Sequence, residues 1–278
     1  MNKDLVHLHY HSIFSAKDSI NNIKDTIAKI KSDGQTAIAI TDHASIGGTL
    51  DFYDECKAQG IKPIIGCEVY MKTDDKLTDN PQERYHLILL CKNLTGWHNL
   101  IKIVKQSHED AYYVPLVTWD NLSQHAEGLI ATTACFAGPV ASPIVHDRYD
   151  IAENNLKRLI ELFRDDLYIE LQPNSIDNQT KINTALYKLS KQYNVKYTIG
   201  IDAHYINKED SLAQETLLGI NMKSLITDKP KHMDTGDNEE NADGKKVRYR
   251  FSFEKHDFYL MTEEELYKMW DANHKNIG

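Results

Sequence analysis

The stretch VHLHYHS, residues 6–12, places three histidines at alternate positions within the first apolar run of the chain. On an extended strand, side chains two residues apart face the same side. Two of these imidazoles can therefore bind one cation together, whereas a helical pair would need a spacing of three or four. The stretch predicts that the first strand of the fold leads into a metal site.

Beyond this stretch, short apolar runs alternate with amphipathic segments. Isoleucines recur at helical spacing between residues 20 and 30, and the apolar run 36–41 follows as a strand. The alternation continues to residue 205 and gives seven strand candidates. It predicts a mostly parallel α/β fold, and the strand number is close to that of a closed barrel. A doubly wound open sheet would give a similar pattern, so the alternation alone leaves closure open.

The last third of the chain has a different character. Residues 230–247 are rich in carboxylates and nearly free of apolar side chains, which predicts a mobile acidic insertion. Residues 248–261 alternate as a β-hairpin arm would, and Thr262 with Glu265 resembles the capping box that begins a helix. We expect residues 1–278 to form a single domain, with residues 248–278 as a hairpin and helix extension.

The composition favours an ordinary globular protein, with 41% hydrophobic and 26% charged residues among 278. The sequence shows no apolar run of the ~18 residues that a membrane span requires and no apolar core of a signal peptide, so we expect a cytoplasmic location and no membrane partner. Four cysteines without a CxxC pair favour reduced thiols. The formal net charge of −9 argues against binding nucleic acid by general electrostatics. A nucleic-acid contact should therefore be local and helped by bound cations.

Residue types that bind metals collect at the ends of the predicted strands. Each one alone would more often be a packed or solvated side chain. In a β/α barrel, however, the carboxyl ends of the strands meet at one mouth, where active sites are built. The set therefore predicts a single metal centre at this mouth. Its candidates outside the first stretch are Asp42, His43, Cys67, Glu68, His86, Cys135, Asp202 and His204.

Other chemistries are less well supported. The sequence contains no GxSxG elbow, no Walker A loop and no GxGxxG loop after the first strand. Cys135 is a candidate nucleophile, but among so many potential ligands a metal-bound thiolate is the better interpretation. Asp42 is a candidate for orienting a ligand histidine. We assign no site role to the remaining histidines and cysteines, which are His98, His108, His125, His146, His232, His256, His274, Cys56 and Cys91.

Six motifs together resemble a known family: HLHYHS, ITDHASIGG, IKPIIGCEVY, RYHLILL, TTACFAG and DAHY. They resemble the polymerase-and-histidinol-phosphatase (PHP) domain, and most closely the version at the N-terminus of bacterial DNA polymerase III alpha subunits. The resemblance runs from about Val6 to about Glu265. It implies a distorted seven-stranded (β/α)7 barrel with two or three divalent metals and leaves His7 outside the ligand set. The nine ligands that it implies are His9, His11, Asp18, His43, Glu68, His86, Cys135, Asp202 and His204.

The resemblance also implies a metal-dependent phosphoesterase, most specifically a 3′→5′ exonuclease that hydrolyses DNA phosphodiesters. In this interpretation Glu68 bridges two metals, and the rest of the catalytic group is His9, His11, Asp202 and His204. Mixed nitrogen, oxygen and sulfur ligands favour zinc, manganese or iron over magnesium or calcium.

The implied partners are the 3′ end of DNA and the rest of a replicative polymerase. Two alternatives stay open: a phosphomonoesterase acting on a small metabolite, and a non-catalytic scaffold domain. Lys17 and Arg84 lie near motif residues, but the sequence assigns neither of them to a substrate phosphate.

Overall fold

The computed structural model describes residues 5–72, 77, 83–111, 113–231, 249–253 and 255–277. Its strands are β1 (Ala37–Ile40), β2 (Lys62–Lys72), β3 (Arg84–Cys91), β4 (Leu129–Thr132), β5 (Leu167–Leu171), β6 (Lys196–Ile199), β7 (Lys229–Lys231) and β8 (Tyr249–Phe251). Its helices are α1 (Ile23–Ser32), α2 (Thr49–Gln59), α3 (Leu94–Glu109), α4 (Trp119–His125), α5 (Ala141–Val145), α6 (Tyr149–Phe163), α7 (Gln179–Tyr193), α8 (Ser211–Met222) and α9 (Glu263–Asn273).

A curled sheet forms the centre of the fold, with its six strands in the order β1-β2-β3-β4-β5-β6. The pairs β1–β2, β4–β5 and β5–β6 are parallel, whereas β3 runs antiparallel to both of its neighbours. The α/β class and the mostly parallel sheet were predicted, but the reversed direction of β3 was not. Because β3 is reversed, its first residues lie at the edge where the neighbouring strands end.

The predicted count of seven strands is not confirmed. The first candidate, the run Leu5–Leu8 that leads into the histidines, does not form a regular strand. Its region makes single parallel bridges, His7 to Ile38 in β1 and Tyr10 to Ala203 beyond β6. A regular ladder is interrupted because the Tyr10 N–H donates to the Thr41 hydroxyl, 2.9 Å away, and not to a main-chain carbonyl. We call residues 6–11 the bridging segment, since they lie between the two edges of the curled sheet.

The two faces of the sheet pack differently. In β3, Leu87 and Leu89 belong to the large core under α3, α6 and α7. Ile88 and Leu90 face the other way and pack with Ala39 and Ala134 in a small cluster. His86, Ile88 and Leu90 are two residues apart and therefore share this second face. The candidate ligand of β3 thus points into the curl of the sheet, away from the helices.

The helices follow the amphipathic segments of the sequence. The isoleucine spacing correctly predicts α1, because Ile23, Ile27 and Ile30 are buried on one side of it. Gly60 ends α2 with a left-handed φ of 75°, a conformation that glycine adopts without strain. In the described part of the chain, none of the helices combines the length and the apolar character needed to span a bilayer.

In the C-terminal extension, β8 pairs with β7 in parallel. The hairpin expected within residues 248–261 stays a prediction. The expected capping box is present at α9, where the Thr262 side chain accepts the Glu265 N–H and the Glu265 side chain accepts the Thr262 N–H. Most of the predicted acidic insertion, residues 232–247, lies outside the described residues, and its mobility stays a prediction.

Candidate metal centre

All nine ligand candidates lie in one buried or half-buried cluster inside the curl of the sheet. Each comes from a strand or from a loop at the same edge: His9 and His11 in the bridging segment, Asp18 before α1, His43 after β1, Glu68 in β2, His86 in β3, Cys135 after β4, and Asp202 and His204 after β6. The reversal of β3 explains how His86, near the start of its strand, reaches residues that follow the ends of other strands.

The deepest group joins His9, His11, Glu68 and Asp202, with one ligand atom of each within 4.8 Å of all the others. His9 Nε2 lies 2.6 Å from Glu68 Oε2 and 3.0 Å from Asp202 Oδ1. His11 Nε2 lies 3.3 Å and 3.1 Å from the same two oxygens. Two imidazoles and two carboxylates therefore converge closely enough that together they could hold one metal ion.

A second group joins His11, His43 and His204, again with their ligand atoms within 4.8 Å of one another. The His11 ring stacks on both partners, with centroid distances of 4.1 Å to His43 and 4.5 Å to His204. Asp18 Oδ2 lies 2.7 Å from His43 Nε2 and 3.3 Å from His204 Nε2. Asp18 therefore supplies a carboxylate to a group that otherwise consists of imidazoles.

The third group joins His43, Glu68 and His86. Glu68 Oε1 lies 2.5 Å from His86 Nδ1 and 3.1 Å from His43 Nδ1. Cys135 Sγ lies 3.7 Å from the same His86 Nδ1. Glu68 is consequently shared: its Oε2 faces the deepest group and its Oε1 faces the third.

Left-handed backbone conformations surround the cluster. Ala44 follows His43 with a φ of 45°, Ala134 precedes Cys135 with a φ of 55°, and Asp202 itself has a φ of 59°. For an alanine this conformation costs about 1–2 kcal/mol, and such residues concentrate at functional sites. Here the strained backbone turns successive strand ends so that their side chains meet.

The unpaired polar atoms of the cluster suit cations. Five ligand atoms are fully buried and have no hydrogen-bond partner among the described residues: His11 Nε2, His43 Nδ1, Glu68 Oε1, Asp202 Oδ1 and His204 Nε2. Buried polar atoms are rarely left without partners. Their convergence at short distances without hydrogen-bonding geometry is the arrangement expected of ligands around metal ions.

The pKa shifts of the buried groups also suit a metal site. Burial alone would raise the pKa of Glu68, but His86 and His43 hold it well below its usual range. Burial alone would lower the pKa of His9, but the Asp202 and Glu170 carboxylates raise it well above its usual range. Without a metal, the ionised form of Glu68 and the protonated form of His9 are therefore both favoured. Divalent cations would displace the protons of the histidines and take over their charge.

The Cys135 thiol has a raised pKa, chiefly because it is buried and further because Asp202 and Glu68 lie close to it. In this environment the thiol keeps its proton at neutral pH, which does not favour a free nucleophile. A neighbouring cation reverses this tendency, since coordinated thiols are deprotonated.

Glu170 was missed by the sequence reasoning. This buried carboxylate of β5 accepts the Nδ1–H of His9 at 2.7 Å and the Thr132 hydroxyl at 2.6 Å. It fixes the His9 ring so that Nε2 faces Glu68 and Asp202. The available signal was a lone glutamate inside the apolar run LYIEL, where a buried charge requires a partner.

Asp42 acts less directly than the prediction supposed. Its carboxylate accepts the Ser12 N–H at 2.7 Å and the Ser15 hydroxyl at 2.8 Å. The Ser15 oxygen in turn lies 3.0 Å from His11 Nδ1. Asp42 therefore reaches a ligand histidine through a serine. Cys67, which was predicted to lie at a strand end, lies within β2 and packs into the large core under α3, α6 and α7.

Histidines outside the nine have other partners. His7 Nε2 lies 3.1 Å from the Met261 carbonyl, as expected for a residue outside the ligand set. His108 donates to the Ala44 carbonyl at 2.7 Å and so supports the strained turn after His43, a role that the sequence did not indicate. His232 lies outside the part of the chain that the structure describes.

Comparisons with known proteins agree with this geometry. The family model for the PHP domain matches residues 7–174, more than half of the chain. The DNA polymerase III subunit alpha of Borreliella burgdorferi is 35% identical over 271 residues, which cover 96% of this chain and 22% of that protein. The subunit of the same name from Aquifex aeolicus is 38% identical over 236 residues, covering 81% of this chain and 20% of that protein. The chain thus spans about a fifth of the length of these relatives.

A solved structure shares the fold at low sequence identity. It is that of a Bifidobacterium adolescentis protein described as a proposed metal-dependent phosphoesterase. The two structures agree with a TM-score of 0.52 at 12% identity, over 72% of this chain and 87% of the other. With the motifs, the curled sheet and the match over residues 7–174 taken together, this chain belongs to the PHP domain family.

Proposed function

We propose that this chain is a metal-dependent phosphoesterase that hydrolyses phosphodiesters at the 3′ end of DNA, acting as a 3′→5′ exonuclease. The observation that carries the proposal is the position of Glu68. Its Oε2 faces His9 and its Oε1 faces His86, each at 2.6 Å or less. A carboxylate shared in this way suits two neighbouring cations, and paired metals are a recurring arrangement in enzymes that cleave phosphoesters.

The nine clustered side chains are the proposed ligands of two or three metals. Their nitrogen, oxygen and sulfur atoms suit zinc, manganese or iron. When bound, such metals polarise a phosphoryl oxygen and lower the pKa of bound water. The chain itself holds this centre in place: Glu68 and Asp202 supply negative charge, while Glu170 and Ser15 fix the rings of His9 and His11. Burial strengthens each of these interactions by excluding bulk water.

DNA as the substrate is supported by the relatives, which are named as subunits of a DNA polymerase. Because the chain matches only about a fifth of their length, we also propose that its physical partner is the remainder of such a polymerase. The acidic net charge of −9 is compatible with this substrate if bound cations make the metal centre locally positive.

The test combines metal analysis with a cleavage assay. Protein supplemented with Mn²⁺ is incubated with a labelled single DNA strand, and metal content is measured by mass spectrometry on the same sample. We expect stepwise shortening from the 3′ end by the wild type. His9→Gln should reduce the rate by about 100-fold or more, since replacing even the outer partners of metal ligands often costs 10–100-fold.

The matched control is His7→Gln, the same substitution two residues earlier in the bridging segment. Its side chain contacts the Met261 carbonyl and none of the nine candidates, so shortening should persist. Bound metals without any shortening by the wild type would refute the exonuclease. Hydrolysis of p-nitrophenyl phosphate in that case would favour a phosphomonoesterase, and no hydrolysis of either substrate would favour a scaffold.

A further inference from the structure

The cavity over the candidate ligands is open and has a volume of about 430 Å³. This volume lies in the lower part of the range of small-molecule sites, so it suits about one nucleotide and not a longer piece of a strand. If the chain has the proposed function, the terminal nucleotide lies over the ligands and the rest of the strand leaves across the rim. The phosphates of the outgoing strand then require positive charge at that rim.

The loops that contribute side chains to the cavity contain very little positive charge. They follow the bridging segment and the ends of β1, β4 and β6, and they comprise residues 12–22, 41–48, 133–140 and 200–207. Lys17 is the only lysine or arginine in these ranges, all of which the structure describes. A strand that crosses these loops therefore has one lysine to contact.

Lys17 lies at the rim of the cavity and not in its wall. Its neighbours Ser15, Ala16 and Asp18 line the cavity, whereas Lys17 itself is exposed and outside the lining. Asp18, the next residue, is a proposed ligand and lies 2.7 Å from His43 Nε2. Among the residues that the structure describes, no carboxylate forms an ion pair with Lys17. Its charge is therefore available to a phosphate close to the metal centre.

The backbone conformation of Lys17 is unusual for a lysine. The Asp18 N–H donates to the Ser15 carbonyl at 3.1 Å and closes a turn, in which Lys17 at the third position has a φ of 67°. Glycine or asparagine is favoured at this position of a type II turn, because most side chains crowd the backbone there. Such strain persists where the surrounding structure enforces it, and it concentrates at functional sites. A lysine in a position that suits glycine points to a use for its side chain.

Hydrogen bonds fix the loop on both sides of Lys17. The Ser15 hydroxyl donates to the Asp42 carboxylate at 2.8 Å. The Gln214 side chain of α8 donates to the Asp18 carbonyl at 3.2 Å. The backbone that carries Lys17 is thus held in place before any ligand arrives. Only the lysine side chain has to become ordered when a phosphate binds, which limits the entropy cost.

A second exposed lysine lies beside the cavity, next to a different part of its lining. Lys223 follows the lining residue Met222 and ends α8 with a φ of 55°. Its surroundings are apolar, since Ile220, Met222 and Leu225 are all exposed near it in the sequence. Apolar side chains offer a phosphodiester backbone neither hydrogen bonds nor charge. The strand is therefore better accommodated on the side of Lys17.

We propose that Lys17 binds a backbone phosphate of the DNA strand where the strand leaves the cavity, on the 5′ side of the phosphate over the ligands. Each nucleotide upstream of the terminal one contributes such a phosphate through its link to its neighbour. This inference rests on the proposed function and deepens it, since it gives the strand a path across the rim. A small phosphorylated metabolite would end inside the cavity and would not reach Lys17.

The test is equilibrium binding of the Mn²⁺-loaded protein to a labelled strand of ten thymidine nucleotides, measured by fluorescence anisotropy at several salt concentrations. The strand has phosphorothioate linkages, which keep the negative charge, and its integrity is checked after each titration. One phosphate contact in a single strand contributes about 0.7 to the slope of log affinity against log salt concentration. Lys17→Asn should lower the slope by about this amount and the affinity at low salt by about fivefold, whereas Lys17→Arg should keep both.

Three controls accompany this measurement. Lys223→Asn makes the same substitution at another exposed, left-handed lysine beside the cavity, and it should change neither slope nor affinity. Thymidine 5′-monophosphate carries only the phosphate expected over the ligands, so it should bind equally to Lys17→Asn and to the wild type. Because asparagine tolerates the left-handed conformation, Lys17→Asn should also keep the Mn²⁺ affinity of the wild type.

An unchanged slope in Lys17→Asn, or an equal loss of slope in Lys223→Asn, would overturn the assignment. Weaker binding of thymidine 5′-monophosphate by Lys17→Asn would overturn it as well, because the lysine would then act on the phosphate over the ligands. Failure of the proposed function looks different. In that case an unmodified DNA strand would remain uncut, while the slope for the phosphorothioate strand still depended on Lys17.

Discussion

Replacing Glu170 by glutamine tests how the centre is held together. The carboxylate accepts the Nδ1–H of His9 at 2.7 Å and the Thr132 hydroxyl at 2.6 Å, and it is buried. Glutamine has nearly the same shape, so the packing is kept while the negative charge is lost. The amide can satisfy one of the two donors through its oxygen, but its NH₂ group faces the other. His9 is then less firmly held with Nε2 toward Glu68 and Asp202.

Glu170 does not itself belong to the nine proposed ligands; it forms a hydrogen bond with one of them, His9. The expected size of the effect follows from this supporting role. Their replacement typically weakens metal binding 10–100-fold, which corresponds to about 1.4–2.8 kcal/mol. The assay is calorimetric titration of metal-free protein with Mn²⁺, which does not depend on catalysis. Cleavage of DNA by Glu170→Gln should recover in part at higher Mn²⁺, since the proposed ligands are all still present.

Thr132→Val is the matched control for this substitution. It removes the second partner of Glu170 while leaving its charge and its contact with His9, so its effect on affinity should be under tenfold. An unchanged Mn²⁺ affinity in Glu170→Gln would refute the reasoning. Lost affinity that is equalled by Thr132→Val would instead indicate general disruption of β4 and β5.

The remaining predictions concern the surroundings of the centre, acid stability and metal removal. Gly200→Ala should weaken Mn²⁺ binding as Glu170→Gln does, because the added Cβ would lie 2.0 Å from the Glu170 carboxylate. The control Gly219→Ala, whose Cβ would meet nothing closer than 3.4 Å, should leave the affinity unchanged. Equal Mn²⁺ affinities of the two variants in a titration would contradict this prediction. Burial lowers the pKa of His7 to about 4 from 6.5, so the folded state requires its neutral form and loses stability as the pH falls from 6.5 toward 4. Between pH 7 and pH 5 this loss should be about 2 kcal/mol, and His7→Gln should remove it from the pH dependence of urea unfolding; an identical pH dependence in the variant would exclude the assignment. Chelation of the metals should lower the melting temperature by about 5–10 °C, since a ligand at 100 times its Kd stabilises the native state by about 2.7 kcal/mol. An unchanged melting temperature in protein shown to have lost its metal would argue against a structural contribution of the centre.

Much of the fold could be predicted because local patterns determine it. The spacing of Ile23, Ile27 and Ile30 predicts one buried helix face, and the pair Thr262 and Glu265 marks the beginning of α9. The direction of β3 could not be predicted in this way. Apolar alternation is the same in parallel and antiparallel strands, and only the pairing of Glu68 with Ile88 in space reveals the reversal.

The candidate site was predictable for a similar reason, since unusual residue types at strand ends are visible in the sequence. The nine predicted side chains do lie together, although their roles as ligands stay a proposal. Glu170 and His108 were not predictable, because their importance lies in what they contact. A glutamate in an apolar strand can face either side, and only the tertiary structure shows that this one meets His9.

Because of the position of the bridging segment, metals bound at the proposed centre would also affect how the sheet closes. Residues 6–11 join the edges of the sheet through two isolated bridges, His7 to Ile38 and Tyr10 to Ala203. His9 and His11 of the same segment face Glu68 and Asp202 from elsewhere in the chain. Metals bound there would hold the two edges of the curled sheet together where the main-chain hydrogen bonds between them are incomplete. The exchange rates of the amide hydrogens in this segment would then report how fully the proposed centre is loaded, because metal binding and the closure of the curled sheet would be coupled.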